Sequence, residues 1–161
     1  MVNDLMVLQD TREREGWDFT FHGFAQANYK LKTGDYTLVK YRNVLCIERK
    51  RSTGELSLNL GKKSSAFFKE LERMKAYPYR YIVFEFSEQD VEKFPENSGI
   101  PKKFHAELRI SANFMKSCIA KMKSDYDIEV IYAGNKDNAM NETIKIFNKV
   151  IEEDGNRRPV F

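Results

Sequence analysis

The chain has 161 residues, 42% of them hydrophobic and 13% aromatic, which suffices for one domain with a sizeable core and excludes two. Its net charge of +3 mixes both signs, a bias that suits a polyanion and also suits proteins that bind none. Cys46 and Cys118 stand in apolar segments with no Cys or His at zinc-finger spacing, so they read as buried thiols of a reducing compartment. The first residues carry no basic leader, and no apolar run nears the roughly 18 to 20 residues that span a bilayer. The expectation is a soluble intracellular protein with no membrane partner, cytoplasmic in a prokaryotic or viral host or nuclear in a eukaryote.

In chain order, Leu5 to Leu8 is a short apolar run that reads as a buried strand opening onto polar Gln9-Asp10. Thr11 to Arg14 is a charged loop, Phe19 to Phe24 is aromatic and irregular, and Ala27 to Leu31 alternates toward the turn residue Gly34. A strand is predicted from Asp35 to Val39. Tyr41-Arg42-Asn43 then breaks the apolar pattern before Val44 to Ile47 resumes it, so the two strands form a hairpin. A fold point between Tyr41 and Arg42 sets Asp35 opposite Glu48, Thr37 opposite Cys46 and Val39 opposite Val44, all on one face.

Farther along, Ser64-Ser65 caps a helix running from Ala66 to Tyr77 with Phe67, Phe68, Leu71 and Met74 at helical spacing. Pro78 stops it, and Tyr81 to Phe86 forms a dense central strand. Glu88 to Gly99 is an acidic, turn-rich connection. A helix follows Ser111 with Phe114, Met115, Cys118, Ile119 and Met122, then the strand Ile128 to Tyr132, then a helix with Ala139, Ile144, Phe147, Val150 and Ile151. The order predicts an α/β fold with a mixed central sheet flanked by helices, one domain over 1–153 and a mobile C-terminal tail over 154–161.

Alternation along Glu48-Arg49-Lys50 puts Glu48 and Lys50 on one face and Arg49 on the other. Alone the triplet also reads as solvated strand-edge charge, and Gly34-Asp35 alone as an ordinary turn. The hairpin register joins them, because two facing carboxylates repel unless a cation lies between them. A hard ion such as Mg²⁺ accepts one or two carboxylates. Asp10 and Glu13 form a third acidic element, open to two readings: helix initiation by a capping-box-like spacing, or support of a metal site.

Taken in order, Asp10-Thr11-Arg12-Glu13, Gly34-Asp35 and Glu48-Arg49-Lys50 resemble the nuclease motifs of the XPF-type family of structure-specific endonucleases, within the restriction-endonuclease-like superfamily. Phe67, Glu70 to Met74, Ile82 to Glu85 and Val130 to Gly134 resemble that family's next helix, next strand and last strand, so the likeness covers most of the chain. The resemblance implies a Mg²⁺- or Mn²⁺-dependent endonuclease acting on branched, flap or junction DNA in repair, recombination or replication. Asp35 and Glu48 would hold the metal, Lys50 would polarise the attacking water, and Asp10 would join them as a fourth catalytic residue. Glu13, Arg49 and Glu55 would form the supporting shell. Arg12, Arg14, Arg51, Lys62, Lys63 and Arg73 would contact phosphates, giving affinity independent of sequence.

Two departures from the family pattern stand out. The acid that follows Glu-Arg-Lys after three residues is replaced by Gly54, with Glu55 one place later, and no tandem helix-hairpin-helix module follows the last helix. DNA affinity would then come from this domain, a second copy of it, or a partner subunit. The alternative function is a non-catalytic DNA-binding or scaffold subunit of a nuclease complex, against which the retained Asp35, Glu48 and Lys50 argue.

Overall fold

Alternating apolar runs build one six-stranded mixed sheet in the computed structural model, which describes residues 3–157. The strands are β1 (Val7–Gln9), β2 (Gln26–Asn28), β3 (Tyr36–Leu38), β4 (Leu45–Lys50), β5 (Tyr79–Phe84) and β6 (Glu129–Tyr132). Their spatial order is β2-β1-β3-β4-β5-β6. β3 pairs antiparallel with β1 and β4, whereas β4, β5 and β6 run parallel, as does β2 beside β1. The helices are α1 (Thr53–Leu60), α2 (Ser64–Met74), α3 (Glu88–Glu92), α4 (Ala112–Ser124) and α5 (Lys136–Arg157).

Two apolar clusters fill the space on either side of the sheet. Cys46, Ile82 and Phe84 project from β4 and β5 against Leu56 and Leu60 of α1, Phe67, Leu71 and Met74 of α2, and Met115 and Ile119 of α4. Leu45, Ile47, Tyr81 and Val83 point the other way, onto Trp17, Phe19 and the inner face of α5. Because neighbouring residues of β4 serve opposite layers, the strand is buried along its whole length. The α/β single domain with flanking helices is thus the architecture expected.

Several details differ from expectation. The hairpin turn carries a 3-10 turn at Val39–Tyr41, which Tyr41 enters buried. α1 and α3 replace segments given no helix, and each has a readable cap: Ser52 Oγ accepts from Glu55 N–H at 3.0 Å, and Ser87 forms a reciprocal box with Asp90. α2 starts at Ser64, so the Ser64-Ser65 pair lies within its first turn and Lys63 is the cap residue, with no side-chain bond. On α4, Met115, Cys118, Ile119 and Met122 are spent on the core, whereas Phe114 stands exposed. Tyr81 lies in the core, and Tyr79 is bonded to Glu153 at 2.5 Å. α5 continues through Arg157, so residues 154–157 extend the last helix; Met1, Val2 and the tail from Arg158 to Phe161 lie outside the described residues.

Candidate active site

The one β3–β4 pair observed fits the predicted register, although Val39, expected opposite Val44, has left the strand for the 3-10 turn. Tyr36 lies opposite Ile47, and both enter the α5-side core. One residue outward, Asp35 opens into the same cleft as Glu48 and Lys50, on the side walled by α2. Gly34 makes this approach possible: its φ is +83°, and a Cβ there would meet Cys46 Sγ at 2.7 Å and Ile47 O at 3.1 Å. Asp35 is fastened at both ends of its residue, its N–H donating to Ile47 O and its Oδ2 accepting from Arg49 N–H, each at 2.8 Å.

Glu48 and Lys50 are 4% and 5% exposed. Lys50 Nζ reaches Glu48 Oε1 at 3.0 Å and sits 5.1 Å from the Phe67 ring. Glu48 Oε2 is buried with no hydrogen-bond partner. Burial drives the Asp35 carboxyl well above the ordinary carboxylate range, with Glu48 and Glu13 adding to the lift. Burial also lifts Glu48, against the pull of Lys50 and with Glu70 adding to the rise. For Lys50 burial acts in the opposite sense, but Glu48 and Asp35 outweigh it and keep the ammonium charged. An acidic pair with one cationic neighbour and one unsatisfied oxygen lacks positive charge.

The cleft over these groups has a volume of about 510 Å³ and is walled by the 10–14 loop, the β4 exit, α1 and α2. Asp10, Arg12, Glu13, Arg14, Asp35, Glu48, Arg49, Lys50, Arg51, Glu55, Lys63 and Arg73 all line it. Lys62 does not; it flanks a neighbouring basic hollow with Lys63, Lys69 and Arg73. Lys32, Asn59 and Glu70 line the main cleft too, and none of them stood among the predicted site residues. Glu70 was within reach of sequence reasoning, because it follows Phe67 by three residues and so shares the flank of that helix face.

The supporting residues divide by what they touch. Asp10 is 2% exposed; its Oδ1 accepts from Leu31 N–H at 2.9 Å, and its Oδ2 from Arg12 Nε and N–H at 2.8 and 3.2 Å. Burial would raise this carboxyl, but the bonds from Arg12 and Leu31 hold it below the usual range. No helix starts at Asp10; it ties the 10–14 loop to the β2–β3 connection. Arg49 lies on the far face, its Nη2 2.9 Å from Glu85 Oε1 and its guanidinium 4.8 Å from the Trp17 ring. Its acidic partner beneath the sheet is Glu85, the residue after β5. Arg49 Nη1 also approaches Glu13 at 3.7 Å, and burial raises the Glu13 carboxyl against the pull of Arg49 and Arg51. Glu55 Oε2 accepts from the backbone and Nε of Arg51, both at 3.2 Å.

The residues present fit a hard divalent ion. Asp35 and Glu48 meet on one face, and one oxygen of the pair has no donor. Among the described residues no three His, Cys, Asp or Glu side chains already form a cage, but Mg²⁺ commonly takes one or two carboxylates and keeps several waters. His22 and His105 take no part; His105 Nε2 lies 2.7 Å from Ile100 O. Both cysteines are buried free thiols, and no helix among the described residues is long and apolar enough to cross a membrane.

Comparison with known proteins bears on the family and the fold. The ERCC4 domain matches residues 9–146. The fold is similar to that of XPF from Aeropyrum pernix, with a TM-score of 0.68 at 17% identity over 97% of this chain. It is also similar to the same protein in complex with DNA, with a TM-score of 0.64 at 17% identity over 93% of this chain. The chain spans 65% and 66% of those two chains, respectively. No curated protein sequence matches it.

Proposed function

The chain belongs to the ERCC4-domain family, whose XPF-type members are endonucleases, and on that footing we propose that it is a Mg²⁺- or Mn²⁺-dependent endonuclease of branched or single-strand-containing DNA. The observation that carries the reading is the convergence of Asp35, Glu48 and Lys50 on one face of one cleft, with Glu48 Oε2 left without a partner.

In this reading Asp35 and Glu48 hold the ion, each kept in place by the backbone of β4. A divalent ion bound there supplies Lewis acidity toward the phosphate and the attacking water. Lys50 orients that water and offsets charge growing on the phosphate oxygens, a role its enforced protonation suits. Asp10 acts through Arg12, whose guanidinium it aims along the cleft rim, and Arg49 acts through β4 and Glu13. Lys63 and Arg73, shared by the cleft and the hollow beside it, extend a phosphate path along α2 in which Lys62 joins. The DNA complex of the Aeropyrum pernix protein supports DNA as the substrate class.

Fork, flap, Holliday-junction and linear duplex substrates incubated with Mg²⁺ or Mn²⁺ test this. The expected result is cutting of the branched substrates by wild type and none by an Asp35→Asn, Glu48→Gln variant. Equal cutting of all four removes the preference for branched DNA. If wild type and variant bind DNA alike and neither cuts with either metal, the chain is a scaffold subunit.

A further inference from the structure

Resting on the metal-dependent reading above, we infer that Glu70 of α2 supplies the third carboxylate facing the divalent ion, in place of an acid that α1 has no room to carry. The exclusion is steric. A Cβ on Gly54 would collide with Ser98 O and lie 3.1 Å from Ile100 Cγ1, so the segment around Ser98 fills the space in which any side chain from position 54 would stand. Gly54 N–H also donates to Ser98 O at 3.2 Å, which holds the two backbones together. The next residue, Glu55, lines the cleft but is already engaged, its Oε2 accepting from Arg51 N–H and Nε, each at 3.2 Å.

Glu70 approaches from the opposite wall. α2 buries Phe67, Leu71 and Met74 against the sheet, which leaves Glu70 on the flank of that stripe, lining the cleft above Glu48. Glu70 and Glu48 line the same cleft, and the Glu70 carboxyl adds to the rise at Glu48. Glu48 Oε1 is taken by Lys50, and Oε2 has no partner. A second cleft oxygen, Oδ1 of Asn59 on α1, is likewise buried and unpartnered. Two neighbouring carboxylates and two orphaned oxygens around one space are what a hard, oxygen-seeking cation would satisfy. Glu70 has a long side chain on a half-exposed helix flank, so it can adjust to an ion without disturbing the core.

Titration of the metal-free chain with MnCl₂ by calorimetry, without DNA, reads this directly, with the Mn²⁺-induced rise in melting temperature as a second measure. Glu70→Gln keeps the shape of the side chain and removes its charge; Glu48→Gln and Glu55→Gln are the comparisons. The expected result is Mn²⁺ binding weakened by about tenfold or more in Glu70→Gln, with the Mn²⁺-induced stabilisation reduced in step, and Glu55→Gln binding as wild type does. If Glu70→Gln binds Mn²⁺ like wild type while Glu48→Gln does not, Glu70 is no ligand and the metal-dependent reading stands. If Glu55→Gln is the variant that loses binding, the third acid comes from α1 and the inference falls. If wild type takes up no Mn²⁺, both fall together.

Discussion

Replacing Arg49 with methionine removes the most heavily bonded side chain of β4. The residue is 3% exposed, and its guanidinium lies 2.9 Å from Glu85 Oε1, with 3.2 and 3.4 Å approaches to Oε2 and a 3.1 Å bond to Glu15 O. Trp17, whose ring it faces at 4.8 Å, donates its own Nε1–H to Glu85 Oε1 at 3.2 Å. Removing one partner of such a buried pair costs about 3–5 kcal/mol, because the other charge stays behind uncompensated. Removing the cation from the Trp17 ring adds about 0.5–2 kcal/mol. Trp17 continues to serve Glu85, which favours the lower end, so the expected loss is about 4 kcal/mol. At about 2–4 °C per kcal/mol for a domain of this size, the melting midpoint falls by about 8–16 °C. Urea unfolding followed by circular dichroism and by the single tryptophan measures it. The Arg49→Met, Glu85→Met double variant should regain most of the loss, since removing both charges removes the desolvation cost with them. A single variant within about 1 kcal/mol of wild type, or a double variant less stable than the single one, refutes the reasoning.

Burial and neighbouring carboxyls raise Asp35 and Glu48 in the folded state, so folding takes up protons there. Stability on their account is greatest below the unfolded carboxylate values near about 4 and is lost as pH rises through the folded ones. Metal-free Asp35→Asn should therefore be more stable than wild type in neutral buffer by about 1 kcal/mol or more, with the gap closing in acid; thermal melts across pH showing the reverse order would contradict this. Gly54→Ala should destabilise by about 1–3 kcal/mol through the clash with Ser98 O, even though alanine favours a helix by about 1 kcal/mol; a urea midpoint at or above wild type would show that the 95–101 segment yields freely. Lys63→Ala, Arg73→Ala should flatten the salt dependence of duplex binding by a log–log slope of about 0.9 for each phosphate that is no longer neutralised. Anisotropy titrations at several salt concentrations with an unchanged slope would place the DNA path elsewhere.

The parts of this fold that were legible in the sequence are those fixed by periodicity over a buried strand. The Tyr41–Arg42 fold point yields the Tyr36–Ile47 register, and alternation in β4 separates Glu48 and Lys50 from Arg49, because a two-residue repeat leaves no third option. The apolar spacings of α2 and α4 were legible for the same reason. α1 and α3 were missed although Ser52–Glu55 and Ser87–Asp90 carry cap spacing, since α1 holds a glycine at its start and α3 is a single short turn of acidic residues. What was not legible came from groups distant in sequence. Glu85 meets Arg49, Leu31 claims Asp10, and Ser98 occupies the space beside Gly54. The spacing of Glu70 to Phe67 was readable, but its place over the cleft depends on how α2 docks across β4.

The two-sided burial of β4 also bears on how this domain can diverge. Inserting or deleting one residue between Leu45 and Lys50 would trade the contents of the two layers: Arg49 would be carried toward the cleft, and the two groups beside it would be pressed into the aromatic cluster around Trp17. Lineages can therefore vary this stretch by substitution but not by length, whereas the 95–111 connection outside the sheet can lengthen or shrink without changing the reading frame of either face.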